Sequence, residues 1–174
     1  MVFKLFESSD YEKLLEFYRR IDSEFYPRLS QRRGGLEGHI QQVLSNNGSF
    51  ALFETDNLIH GAVGFFPLDV QRKIVQFNLF AFTKNYRGTL YPYKMTRYLT
   101  SLRNPLGYSL TEKLIARTWY KECVEFLERI GFNRVAEMQG DLAPDRTSYY
   151  FEANLDLIID NILNRRLLPK LRNK

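Results

Sequence analysis

The sequence has little cysteine, histidine, glycine or proline, and each shortage excludes a class of protein. Its 174 residues include one cysteine, two histidines, ten glycines and six prolines. A single cysteine, Cys123, cannot build a disulfide framework, and we expect it to be a buried, unreactive thiol. His39 and His60 have no ligand-type neighbours at metal-binding spacing, so we expect no metal site. These counts also leave no room for a collagen-like or a Gly- and Pro-rich disordered chain.

Long hydrophobic runs are also missing. No segment approaches the roughly 20 consecutive apolar residues that a membrane-spanning helix needs. The first ten residues lack the basic stretch followed by an apolar core that marks a secretory signal. We therefore expect a cytoplasmic protein with no transmembrane segment.

What the sequence does contain is typical of one folded domain. Hydrophobic residues make up 44% of the chain and aromatic residues 15%, which excludes a disordered class. The formal net charge is +5, and residues 165–174 carry five cations and no acid. Such a basic tail is either a solvated helix end or a contact for an acidic partner or an anionic membrane surface. No nucleic-acid recognition motif accompanies it, so we do not expect a nucleic-acid partner.

Hydrophobic periodicity and turn residues predict the order of the elements. A short strand at 2–6 precedes a helix that begins with a capping box, Ser9 to Glu12, and runs to about Tyr26. A second helix covers 36–44. Three strands follow, the first two joined at Asp56 and Asn57 by a tight hairpin turn. The third of these strands is expected to lie in the centre of the sheet, covered on both faces.

The second half of the chain predicts two more helices between strands. A helix begins near Tyr91, a strand covers 112–120, and a further helix ends at a left-handed glycine cap, Gly131. An antiparallel pair and a helix at 157–168 complete the order. We therefore predict an α/β fold with one mixed, mostly antiparallel sheet of six to seven strands flanked by helices. The domain spans 1–155, and 156–174 form a basic C-terminal helix or tail.

Three stretches in this order resemble the GNAT family of N-acyltransferases. The hairpin DNLIHGAVGFF resembles the second and third strands of that family. FNLFAFTKNYRGTLYPYKMTRYL resembles the strand, pyrophosphate loop and helix of its acyl-CoA site, and RTWYKECVEFLERIGFNRVAE its strand–helix–strand ending in a Gly-Phe turn. Together the stretches cover about 49–140. The resemblance implies an acyltransferase that uses acetyl-CoA or another acyl-CoA and an amine acceptor, either a small molecule or a peptide.

The resemblance also implies where the acyl-CoA binds. Two neighbouring parallel strands splay apart, the backbone of the fourth strand contacts the pantetheine arm, and loop amides hold the pyrophosphate. The first amides of a helix have no internal partner and favour an anion. Carried over to this chain, the binding residues are Leu79, Ala81, Phe82 and Thr83 on the strand, and Arg87, Gly88, Thr89 and Leu90 on the loop.

The sequence departs from the family pattern at positions that serve cofactor binding and proton transfer. The second and third small residues of the loop are replaced by Leu90 and Pro92, so the loop is either an altered pyrophosphate site or only a turn. Leu127 stands where many members have a proton-donating tyrosine. Tyr120, two helical turns away on the same face, is a candidate substitute, with a packing tyrosine as the alternative. Asn78 is a second catalytic candidate, or else makes a structural hydrogen bond.

Aromatic residues cluster around the same loop. They either line a large apolar cleft for a bulky ligand or belong to an ordinary core. The residues are Tyr86, Tyr91, Tyr93, Tyr98, Phe80 and Phe82.

The sequence therefore predicts transfer of an acyl group from acyl-CoA to an unidentified amine. The alternative is an inactive GNAT-like domain that binds a ligand or a protein. A third hypothesis is an acyltransferase supplied by a carrier protein, which would not need the loop glycines. A homodimer is compatible with all three.

Overall fold

One mixed sheet forms the centre of the molecule. Within residues 1–71, 73–101, 112–141 and 145–163, which this computed structural model describes, the sheet has seven strands in the order β1-β2-β3-β4-β5-β7-β6. Only β4 and β5 pair in parallel; every other described pair is antiparallel. The strands are β1 Val2–Leu5, β2 Ser49–Thr55, β3 Leu58–Asp69, β4 Ile74–Phe82, β5 Lys113–Thr118, β6 Asn133–Gln139 and β7 Thr147–Asn154. The predicted fold class is confirmed.

Helices cover both faces of the sheet because its strands alternate two apolar sets of side chains. On β2, Phe50 and Leu52 face one core cluster while Ala51 and Phe53 face the other. The first cluster packs on α1 and α2, and the second on α3, α4 and α5. The helices are α1 Tyr11–Ile21, α2 Gly35–Ser45, α3 Tyr91–Ser101, α4 Lys121–Ile130 and α5 Leu155–Leu163. No helix in the described part of the chain is long and apolar enough to cross a bilayer.

Two turns follow their sequence signals. Asp56 and Asn57 both have positive φ, +52° and +63°, as the two-residue turn between β2 and β3 requires. Gly131 ends α4 in the left-handed conformation at φ +107°, and the Phe132 amide donates to the Leu127 carbonyl over 3.0 Å. Both predictions are confirmed.

The start and end of the first helix differ from the prediction. Glu7 and Asp10 form the capping box, around a short 3₁₀ turn at Ser8–Asp10, and Ser9 makes no cap bond. Glu7 and Asp10 form the cap in place of Ser9 and Glu12 because Asp10 also accepts a hydrogen bond from the Lys4 ammonium over 2.7 Å. The helix then ends at Ile21, ahead of the predicted Tyr26, and a second 3₁₀ turn follows at Asp22–Glu24.

The C-terminal helix begins two residues earlier than predicted. Leu155, Ile158 and Ile162 of α5 are buried in the same cluster as α3 and α4. Residues 164–168 of the predicted helix and the basic segment 165–174 lie outside the described residues. The division of the chain at 155/156 stays a prediction.

Candidate functional site

A gap opens between β4 and β5, the one pair of parallel neighbours in the described part of the chain. β4 and β5 pair through three positions, from Ile74 with Lys113 to Gln76 with Ile115. Beyond these positions β4 continues to Phe82 and β5 to Thr118, and the two strands no longer pair with each other. Residues 76–81 of β4 are half-buried along this gap. Both faces of the strand are covered, as predicted, because Phe77 and Phe80 pack against one core cluster and Leu79 and Ala81 against the other. The gap faces the carboxyl ends of the strands, where ligands of α/β sheets bind.

A β-bulge shapes the β4 side of the gap. Val63 of β3 opposes both Leu79 and Phe80 of β4, and Leu79 has a φ of +52°, which is costly for a leucine. The Asn78 Oδ1 accepts a hydrogen bond from the Leu79 amide over 2.8 Å. The hydroxyl of buried Tyr18, whose pKa burial raises well above 10.0, donates to the Leu79 carbonyl over 2.6 Å. These two bonds hold the bulge and occupy the one N–H that Leu79 has.

A cavity of about 240 Å³ fills the gap. Its walls come from β4, β5, α2, α3, α4 and the segment between α1 and α2. The cavity contains both predicted catalytic residues, Asn78 and Tyr120, and of the predicted cofactor-binding residues it contains Leu79. The lining residues are Phe25, Arg32, His39, Gln42, Gln76, Phe77, Asn78, Leu79, Phe80, Thr96, Ala116, Arg117, Thr118, Trp119, Tyr120, Cys123, Phe126, Leu127 and Ile130.

The predicted aromatic cleft is largely absent. Phe80 alone of the six aromatic candidates lines the cavity, where it stacks on Phe126 with ring centroids 5.3 Å apart. Tyr93 packs edge-on against Phe126 at 5.1 Å. The other rings belong to the core: Tyr91 stacks on Phe53 at 4.6 Å, and Tyr86, Phe82 and Tyr98 pack on Phe53 or Phe3.

The loop between β4 and α3 offers three free backbone donors. The Thr89 hydroxyl donates to the Tyr86 carbonyl over 2.6 Å and accepts from the Tyr91 amide over 3.3 Å. The amides of Gly88, Thr89 and Leu90 make no hydrogen bond to any residue that the structure describes. Gly88 has a φ of +69°, where a side chain is strained. This part of the loop fits an anion at the start of α3.

The side chain of Arg87 is already engaged. Its Nε donates to the Phe82 carbonyl over 2.7 Å, and its Nη2 forms an ion pair with Glu24. The two side chains are 45% and 34% exposed, so the pair is within reach of solvent. An anion that approaches the loop therefore meets a cation and a carboxylate together.

Tyr120 connects the start of α4 to the segment after α1. Its hydroxyl donates to the Glu24 carbonyl over 3.0 Å and accepts from the Tyr26 amide over 2.7 Å. Burial raises the pKa of Tyr120, and the Tyr26 amide and the Arg32 charge oppose that shift. The proton of the phenol thus points to the Glu24 carbonyl. The role of Tyr120 as a catalytic acid stays a prediction.

Several cavity residues come from segments that gave no functional signal in the sequence. Arg32, His39 and Gln42 lie on or just before α2, and Trp119 follows β5. They meet only because α1 and α2 pack over β3, a tertiary contact that spacing along the chain does not encode. Burial first, and then the Arg32 charge, lower the pKa of His39 below 6.5, so the imidazole is neutral at pH 7.

The remaining polar candidates take structural places. Burial raises the pKa of the Cys123 thiol, which disfavours a nucleophilic thiolate. His60 packs on the rings of Phe53 and Tyr86. Among the residues described, no three metal-ligating side chains lie close enough to hold an ion.

Comparison with solved structures identifies the architecture. An acetyltransferase of the GNAT family from Staphylococcus aureus Mu50 is similar over 88% of this chain and 98% of its own, with 21% identity and a TM-score of 0.64. The chain has the GNAT fold. An aminoglycoside 6'-N-acetyltransferase complexed with coenzyme A matches 89% of this chain and 97% of its own, at 11% identity and a TM-score of 0.70.

A third GNAT-fold structure matches equally well. The ribosomal-protein-S5-alanine acetyltransferase from Vibrio fischeri has 14% identity and a TM-score of 0.69 over 88% of this chain and 92% of its own. No protein-family model and no curated protein matches the sequence. At identities this low the likeness establishes the fold, and activity must be argued from the site.

Proposed function

We propose that the protein is an acyltransferase that moves an acyl group, such as acetyl, from an acyl-CoA to an amine. One observation carries the proposal: the unpaired gap between β4 and β5 ends beside a loop with three free amides. We assign the gap to a thioester arm, and the amides of the loop that follows β4 to an anion.

The loop amides of this chain fit the pyrophosphate of coenzyme A, while two side chains of the loop differ from the family pattern. Gly88, Thr89 and Leu90 present their amides to the pyrophosphate, and the Leu90 side chain and Pro92 alter the rest of the loop. Arg87 contributes its charge only when the bound anion draws it from Glu24. The Thr83 amide donates to the His60 carbonyl and the Thr83 carbonyl accepts from the Tyr86 amide, so on the strand we assign the pantetheine contacts to Ala81 and Phe82.

The groups around the cavity supply what acyl transfer requires. A neutral amine forms a C–N bond to the thioester carbonyl, the C–S bond breaks, and the thiolate takes a proton. His39 lines the cavity and its imidazole is neutral, so we assign to it the proton that the amine loses. Asn78 keeps its Nδ2 donor for the developing oxyanion, because its Oδ1 is held by Leu79. Tyr120 is the nearest phenol for the leaving thiolate.

A thermal-shift titration with an acyl-chain series tests this function. Acetyl-CoA and longer acyl-CoAs are expected to raise the melting temperature by mass action, and amines are expected to accelerate release of free coenzyme A thiol. Unchanged melting at millimolar concentrations of every acyl-CoA would exclude the coenzyme A site. Binding without thiol release across an amine panel would favour a domain that binds acyl-CoA without transferring the acyl group.

The carrier-protein hypothesis makes a different prediction. Acyl-pantetheine, which lacks the nucleotide, would then be used as efficiently as acyl-CoA. Under our proposal the loop amides add affinity, so acyl-CoA is the better substrate of the two.

A further inference from the structure

The described lining of the cavity has cations and no carboxylates. Among the described residues that line it, Arg32 and Arg117 are basic, His39 is a neutral imidazole, and none is Asp or Glu. Arg117 is compensated by Asp141 at 3.4 Å. A polycationic amine would lose its hydration here and meet positive charge.

Arg32 has no ion-pair partner among the described residues. Its Nε donates to the Pro27 carbonyl over 2.9 Å and its Nη2 to the Tyr26 carbonyl over 3.4 Å, and the charge of Asp22 acts on it from beyond ion-pair distance. The carboxylate of nearby Asp22 is occupied by the Ser30 amide at 3.0 Å and the Ser30 hydroxyl at 2.5 Å. The guanidinium is half-buried and lies over the Trp119 ring at 5.0 Å and the Phe25 ring at 5.9 Å. A half-buried charge of this kind normally has an anionic partner.

Two further polar atoms in the same cavity lack partners. His39 Nε2 and the Trp119 indole nitrogen are buried and have no hydrogen-bond partner of good geometry, although the Trp119 ring lies 5.2 Å from the Tyr120 ring and His39 is next to Gln42. Buried polar groups are nearly always satisfied, so such orphans mark a place where a ligand or water completes the site. Both atoms belong to residues that line the cavity beside Arg32.

We infer that the acceptor is a small amine that carries a carboxylate and an apolar or aromatic body, as in an aromatic amino acid. The carboxylate pairs with the planar Arg32 fork, and the ring packs against the aromatic wall of Phe25, Trp119 and Tyr120. His39 is then left to receive the proton of the amine. The identity of the ligand as an acyl acceptor rests on the proposed acyltransferase function; its recognition by Arg32 does not.

The size of the cavity supports a small ligand. A volume of 240 Å³ holds about eight water molecules at their share of liquid volume. One ring with a short amino-acid head fits within that space, beside the acyl end of the thioester arm. An amine built of several rings would have to remain largely outside.

Four matched compounds test the inference by calorimetric titration of the full-length protein. Phenylalanine has both amine and carboxylate, 3-phenylpropionate lacks the amine, phenethylamine lacks the carboxylate, and spermidine is a polycation. We expect saturable binding of the first two and at least about tenfold weaker binding of the others, the loss of one charge-assisted contact. Equal or tighter binding of phenethylamine or spermidine would overturn the inference.

Two variants and a control locate the contact. Arg32→Gln is expected to weaken 3-phenylpropionate binding about 10- to 100-fold, while Arg33→Gln, at an exposed neighbouring position, leaves it unchanged. His39→Ala is expected to weaken phenylalanine binding and leaves the loop bonds of Arg32 intact. Unchanged carboxylate affinity in Arg32→Gln, or equal losses in Arg33→Gln, would refute the assignment.

The outcomes separate this inference from the proposed function. Carboxylate binding without any response to acyl-CoA would refute the acyltransferase function and leave the Arg32 site standing. Thiol release from acetyl-CoA driven by phenethylamine or spermidine, and not by phenylalanine, would support the acyltransferase function and refute the acceptor class.

Discussion

Glu24→Gln is expected to tighten acyl-CoA binding. Glu24 forms an ion pair with Arg87, the cation directly before the amides that we assign to the pyrophosphate. The variant removes a negative charge from the anion site and releases the guanidinium. Two unit charges about 4 Å apart interact by about 1 kcal/mol in water and about 4 kcal/mol near a protein surface. Taking a net effect of roughly 1 to 2 kcal/mol, we expect affinity to rise about 5- to 30-fold.

The same substitution should cost little stability. The side chains are 45% and 34% exposed, and exposed ion pairs contribute roughly 0.2 to 1 kcal/mol. The Glu24 carbonyl that accepts the Tyr120 hydroxyl is retained, because it belongs to the backbone. The predicted gain in binding therefore exceeds the predicted loss in unfolding free energy.

Isothermal titration with coenzyme A at low and high ionic strength measures the effect. The gain should shrink as salt screens the exposed charges. Glu16→Gln is the matched control, since Glu16 is exposed and lies 3.9 Å from Arg19 on α1. Unchanged or weaker binding in Glu24→Gln would refute the idea that Glu24 competes with the anion, and would show instead that it orients Arg87.

Three other predictions test the fold and the site. Tyr120→Phe loses bonds to Glu24 and Tyr26 and should lower the unfolding free energy in urea by about 1 kcal/mol; loss of kcat at constant KM would mark a proton donor, and a raised KM a positioning role. Gly61→Ala places a methyl group within 2.9 Å of three Phe82 ring carbons and should lower the free energy of unfolding by about 1 to 3 kcal/mol, whereas Gly38→Ala, with open space around it, should not. Denaturation of Asp10→Asn and wild type at a series of pH values measures how much the Asp10 carboxylate stabilises the fold. Burial raises the Asp10 pKa, but Lys4 and the Glu7 amide lower it further, to a net value below 3.8. Its stabilisation is present above pH 3.8, so the variant should lose about 1 to 3 kcal/mol at neutral pH and approach wild type as pH falls below that value. A constant difference across pH would contradict this.

The fold could be predicted because its local signals agree with its packing. The turn at Asp56 and Asn57 needs two residues that tolerate positive φ, and the cap at Gly131 needs one. The apolar alternation of β2 matches a sheet with a helix layer on each face. The capping box at Glu7 was missed because Ser9 and Glu12 fit the sequence pattern better, while Lys4 favours Asp10 through a contact across six residues.

The site could be predicted only where its residues are neighbours in the sequence. The loop after β4 carries its own signal in Arg87 and Gly88. The positive φ of Leu79 has no signal in the sequence, since it depends on a hydrogen bond from Tyr18, 61 residues away. Arg32 and Trp119 are likewise far apart in sequence and meet at 5.0 Å only through the packing of the segment before α2. Such contacts require the three-dimensional structure.

Hydrogen exchange with and without acetyl-CoA tests the central claim, that the gap between β4 and β5 is an acyl-CoA site. Peptides that contain residues 77–91 hold both the bulge and the free amides of Gly88, Thr89 and Leu90. We predict that acetyl-CoA slows exchange in these peptides and leaves the β2–β3 turn at Asp56 and Asn57 unchanged. Exchange in 77–91 that is unaffected by saturating acetyl-CoA would contradict the claim.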